Sequence, residues 1–71
     1  MADDRTRSDW IEAFAARLGL DPPDEATVDA LLDLAGVAAH SSERTAAPVA
    51  CWLLGRAGLS PAQALELARR V

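Results

Sequence analysis

Two breaks divide this chain into pieces of helical length. The first is Asp21-Pro22-Pro23-Asp24. Its prolines remove two backbone donors and push the residues before them toward extended geometry. The second is Gly58-Leu59-Ser60-Pro61, where a glycine free to adopt positive φ is followed by a serine cap and a proline suited to a first helical turn. Between the breaks, apolar residues recur at helical spacing, and β-branched residues are few and never alternate. The expectation is an all-α protein: a compact bundle of four short helices with short connections.

Each helix has its own sequence signature. Trp10, Phe14 and Leu18 fall at i, i+4 and i+8 with Ile11 and Ala15 beside them, which predicts a helix over 9–18 buried along that stripe. Ser8 or Asp9 supplies the cap in this reading, Glu12 stands at N3 of a box begun by Asp9, and Gly19 closes the helix. Asp24 or Thr27 caps a second helix over 25–40, with Val28, Leu31, Leu32, Ala35, Ala38 and Ala39 as its buried face. Gly36 costs that helix about 1 kcal/mol relative to alanine, a cost that a crossing helix would offset. A third helix over 46–57 points Val49, Trp52, Leu53 and Ala57 inward. The fourth runs over 61–70 from a Ser60/Gln63 capping box, with Ala64, Leu65, Ala68 and Val71 inward and Arg69 and Arg70 at its negative end. Residues 1–8 are read as a flexible leader and 9–71 as one helical domain.

Composition then limits what such a bundle can bury. Hydrophobic residues make up 51% of the 71, but 16 of them are alanine. A core built from the remainder rarely yields more than about 3–5 kcal/mol of net stability. Self-association as a homodimer, or docking on a protein partner, is therefore expected from the outset. Net charge is −4 and all seven basic residues are arginine, so nucleic acid is an unsuited partner. A helix-turn-helix reading of the last two helices fails for a related reason: the fourth has no basic residue before Arg69 and carries Glu66. No apolar run is long enough to span a membrane, and the acidic start of the chain lacks the regions of a signal peptide. A cytoplasmic protein is expected.

The residues that could carry chemistry are sparse. One cysteine cannot form an internal disulfide, and Cys51 with His40 is too little for structural zinc. Asp29 and Asp33 stand four apart with no third ligand apparent, so no metal site is expected. Gly55-Arg56-Ala57-Gly58 follows no strand and lacks the Lys-Ser/Thr pair of a phosphate loop. His40 near the end of the second helix reads as a partner of the helix dipole, and Cys51 as a small buried hydrophobe. The loop from Ser42 to Pro48 is the one cofactor- or anion-binding candidate. There Arg44, His40 and Thr45 meet the start of the third helix, although plain capping by Thr45 is the simpler reading. Trp10 and Trp52 are the interface candidates, with core packing the default for both. No catalytic constellation and no cofactor are expected.

The stretch from Val28 to His40 (VDALLDLAGVAAH), followed by Glu43-Arg44-Thr45-Ala46-Ala47-Pro48, resembles a small actinobacterial family, domain of unknown function 6457. A Trp-containing first helix ending Leu18-Gly19-Leu20 fits the same pattern over residues 9–71, and Cys51-Trp52 departs from it. An alanine- and arginine-rich chain without lysine suits the GC-rich genomes of such bacteria. Members occur alone or fused to molybdenum-cofactor guanylyltransferase-like enzymes, and near genes for formate dehydrogenase maturation. What the resemblance implies is a non-catalytic accessory module whose partner is a molybdenum-dependent oxidoreductase or its maturation factor. It supplies no active site.

Overall fold

The computed structural model describes residues 6–71, all α-helix and connecting loops. The elements are α1 (Arg7–Leu18), α2 (Glu25–Ser41), α3 (Ala46–Ala57) and α4 (Pro61–Ala68). The all-α bundle of four short helices is thus the fold, with all four elements close to their expected places.

Helix ends follow local chemistry. α1 begins two residues earlier than expected because Thr6, rather than Ser8 or Asp9, is its cap: the Asp9 amide donates to Thr6 Oγ1 at 3.1 Å. Arg7 and Ser8 are therefore helical rather than part of a leader, and residues 1–5 lie outside the described residues. Asp9 stands at N3, where its carboxylate meets the positive end of the helix. Gly19 closes α1 at φ 73°, with its own amide and that of Leu20 donating to the carbonyls of Ala16 and Ala15 at 3.1 and 2.9 Å. The Ser60/Gln63 capping box at the start of α4 is complete in both directions. α4 stops at Ala68, two residues short of expectation. That leaves Arg70 beyond the helix, its guanidinium donating to Glu66 Oε1 at 3.4 Å.

Asp24 caps α2 by accepting the Thr27 amide at 2.8 Å. Its carboxyl pKa lies below the ordinary aspartate value, first through the side-chain hydrogen bond with Thr27 and then through the Thr27 amide. A lowered folded value means that folding favours the ionised form. The resulting stability is fully present above the unfolded aspartate pKa and is lost as pH falls through the folded value. Asp24→Asn keeps an oxygen at the cap but does not titrate. Its thermal midpoint should fall less steeply than that of the parent as pH drops below about 4. Equal slopes in a circular-dichroism melt series would show that this cap does not couple to pH.

The packing is organised around α2, the longest helix at 17 residues and so about 25 Å from end to end. α3 and α4 both lie against it, and α1 adds little contact with the other three. The expected buried face of α2 is half right. Val28, Leu31, Ala35, Ala38 and Ala39 are half-buried as expected, but Leu32 is exposed and Leu34 is the buried one, at 3%. Leu31, Leu34, Ala35 and Ala38 keep the i, i+3, i+4, i+7 spacing of one helical face. Leu32 falls off that face. Gly36 has open space where a side chain would stand, so no crossing helix offsets its cost there.

α3 is turned relative to expectation, and the reason is size. Ala47, Ala50, Cys51 and Leu54 are half-buried, whereas Val49, Trp52, Leu53 and Ala57 are exposed. Three small residues, Ala47, Ala50 and Cys51, share one stripe of helical spacing with Leu54, and interaxial distance follows the side chains at the contact. Facing α2 with alanine and cysteine lets the two helices approach closely, at the cost of leaving the larger face outside. α4 behaves as expected for Ala64, Leu65 and Ala68. Val71 is a correction: it lies past the helix end, its amide donating to Ala68 at 3.3 Å, and it is fully exposed.

The result is an open slab, 36 × 27 × 19 Å. Its radius of gyration is 13.0 Å, against about 11 Å for a compact domain of this length. The chain exposes 5737 Å², roughly 1,000–1,500 Å² above the surface expected of a folded monomer of its mass. Among the described residues only Ala15, Leu34 and Ala64 are buried hydrophobics.

Candidate docking surface

α3 and α4 flank α2 without closing over it, so a trough runs between them. Leu34 of α2 forms its floor, Val49, Ala50 and Leu53 of α3 one wall, and Ala68 and Val71 the other. Two adjoining hollows of about 310 Å³ and 290 Å³ share all of these residues but Val49, which lines the first alone. The only polar side chains in the lining are Ser41 and Ser42 at one end. Uncharged and apolar, the trough offers shape and burial, with nothing placed to bind or transform a charged substrate.

Two further apolar surfaces stand outside the trough. On α1 the expected stripe splits. Ile11 is half-buried and Ala15 buried, but Trp10, Phe14 and Leu18 are 47%, 50% and 56% exposed. Between α1 and the body lies a cavity of about 190 Å³ lined by Ile11, Glu12, Pro22, Pro23, Val28 and Asp29 among others, and neither Trp10 nor Phe14 lines it. Those rings pack on each other instead, with centroids 5.2 Å apart at 34°, within the range that aromatic pairs favour. On α3, Trp52 is 63% exposed, and the Arg56 guanidinium lies over its ring at 5.7 Å, a cation–π distance. Core packing thus fails as the reading for both tryptophans, which stand at the surface.

The polar candidates lie apart from these surfaces. His40, in the last turn of α2, and Arg44 and Thr45 in the loop after it are all exposed. Among the described residues no hydrogen bond or ion pair joins them to one another. Thr45 does not cap α3, contrary to expectation; its backbone is already helical, and its hydroxyl donates to Glu43 Oε2 at 3.5 Å. The first α3 amides, those of Ala46 and Ala47, donate to the carbonyls of Glu43 and Arg44 at 2.9 and 3.2 Å, and Pro48 has no amide proton. The start of α3 therefore gives an anion no free backbone donor at residues 46–48. Cys51 lies half-buried on the small stripe against α2. Among the described residues no three His, Cys, Asp or Glu side chains gather as metal ligands, and no polar side chain is buried. No described helix is long and apolar enough to cross a membrane.

A family model described as Domain of unknown function (DUF6457) matches residues 2–71. The chain belongs to this family. No curated protein and no solved structure matches it. The DUF6457 model spans the resembling segments Val28–His40 and Glu43–Pro48 and all four helices. Two features of this DUF6457 domain were missed by sequence reasoning. The first is Leu34 as the core residue, hidden among four leucines and valines on one helix. The second is the Ala47-Ala50-Cys51-Leu54 stripe. Its helical spacing of small residues was available as a signal, but the larger Val49-Trp52-Leu53 set outweighed it.

Proposed function

We propose that this DUF6457 domain is a non-catalytic docking module that anchors on another protein through the Trp52 face of α3. The observation that carries this reading is Trp52 itself, 63% exposed beneath the Arg56 guanidinium. Tryptophan and arginine are the residue types most enriched among binding hot spots. An exposed indole held by its own helix needs little ordering before it binds, which limits the entropic cost of association. The helix that presents it holds to α2 through the opposite, small-residue face, so docking at Trp52 need not disturb the fold.

The partner class proposed is a molybdenum-dependent oxidoreductase or a factor that matures it, working in the cytoplasm of an actinobacterium. The family resemblance supports this choice of partner, and the Trp52 face supports the mode of attachment. The test is light scattering on the full chain mixed with a purified formate dehydrogenase and, separately, with its maturation factor. A complex with one of them is expected, weakened at least about thirtyfold by Trp52→Ala, which is the size of a typical hot-spot loss. Helical circular dichroism of the variant should match the parent because the side chain is exposed. No mass shift with either protein, or binding indifferent to Trp52→Ala, would overturn the proposal.

A further inference from the structure

The Trp52 face accounts for one exposed apolar surface and leaves two. One is convex: Trp10, Phe14 and Leu18 stand one helical turn apart along α1, a helix of 12 residues and about 18 Å. The other is concave, the trough floored by Leu34 between α3 and α4. No residue of α1 lines that trough. α1 is seated by Ile11 and Ala15 beside Pro22 and Pro23, so the chain does not bring its own ridge to its own trough.

We infer that two copies of the chain pair symmetrically, the Trp10–Phe14–Leu18 ridge of each seating in the trough of the other. Three observations favour a second copy as the occupant. An amphipathic helix laid in an apolar groove, with anchors spaced by single turns, is a recurring mode of recognition, and this chain carries both halves of it. A helix from an unrelated protein would fill the trough and leave the ridge in water, whereas a reciprocal pair covers both at once.

Area gives the second argument. The exposed parts of the three ridge side chains and the trough lining amount to roughly 500–600 Å² per contact, so two contacts bury about 1,100 Å², just above the roughly 1,000 Å² that a biological interface must clear. Per copy that is about 550 Å², a third to a half of the surplus surface described above. The third argument is charge. Each copy has a net charge of −4, which would oppose pairing, but the trough lining carries no charged side chain. Carboxylates are thus not brought face to face in the contact. Two-fold exchange also closes on itself, using each ridge and each trough once.

Sedimentation equilibrium on the full chain over a wide concentration range tests this. The expected mass at saturation is twice 7.5 kDa. Phe14→Arg on the ridge and Leu53→Asp in the trough should each weaken the pair by at least about tenfold. Both side chains are exposed, so each variant should keep the helical signal of the parent. Mixed together, the two variants should pair better than either does alone, since one intact ridge then meets one intact trough. A chain that stays monomeric would overturn the inference. So would open-ended assembly, or a dimer that Phe14→Arg leaves untouched, which would mark a trough-to-trough contact instead. The outcome is separable from the Trp52 proposal, because Trp52→Ala should leave the dimer unchanged. A monomer that still binds the molybdenum enzyme sinks the pairing alone, and a dimer that binds no enzyme sinks the docking proposal alone.

Discussion

Leu34→Ala should bring the chain close to its unfolding midpoint at physiological temperature. Among the described residues Leu34 is the one large side chain that is buried, at 3% exposure, and it lies under the walls supplied by α3 and α4. Truncating a buried leucine costs about 2–5 kcal/mol, because the lost transfer energy adds to the cavity left behind. A domain of this size holds roughly 3–5 kcal/mol in total, so this one change removes most of the margin. The hollows beside Leu34 sharpen the effect, since water reaches the floor more readily once the side chain is shortened. Urea titration followed by circular dichroism reads the loss directly, at a protein concentration low enough that association does not add to stability. Leu32→Ala is the control. Only two residues away but exposed, it should change stability by no more than about 0.5 kcal/mol. If both variants unfold alike, α2 is not oriented as described.

The second large effect lies at Gly58. This residue ends α3 at φ 71°, with its amide donating to Leu54 at 3.1 Å and that of Leu59 donating to the same carbonyl at 3.4 Å. Nothing lies within 4 Å of where its side chain would begin, so any penalty for substitution comes from the backbone alone. The left-handed conformation costs an ordinary residue about 1–2 kcal/mol, and branched side chains sit at the upper end. Gly58→Val should therefore lower stability by about 2 kcal/mol, and Gly58→Asn by clearly less, because asparagine tolerates this region. The position matters beyond its own turn. Only Leu59 and Ser60 separate Gly58 from α4, so a changed exit angle also moves the second helix that packs on α2. Thermal melts of the two variants side by side check the ranking, and equal losses would contradict a purely conformational cause.

Local chemistry was the most legible part of this fold. The proline break, Gly19, Gly58, Asp24 and the Ser60/Gln63 box are decided within three or four residues, and each acts in the structure as its sequence predicts. The start of α1, capped by Thr6 in place of Ser8 or Asp9, is one exception, and Thr45 is the more informative one, since the chain enters α3 through a turn in which neighbouring carbonyls already hold the first amides. Which face each helix buries was much less legible. Reading burial from side-chain size assumes that every large apolar residue finds a place inside. Here four short helices, one of them hardly packed, cannot enclose that many. Close approach to α2 then selected small residues on α3 and left Val49, Trp52 and Leu53 outside. The candidate docking surface could be named only through Trp10 and Trp52, one on each of two helices. The trough needs residues from three helices, and no spacing along the chain announces it.

The placement of the two tryptophans also decides what light can reveal about this molecule. Both rings already stand about half or more in water in the folded chain. Unfolding moves neither from a dry setting to a wet one, so ultraviolet emission is a poor gauge of whether the domain is folded. In the two pairings proposed above the same rings would change surroundings, Trp10 under a second copy and Trp52 under a different protein. Tryptophan fluorescence would therefore report those pairings rather than folding.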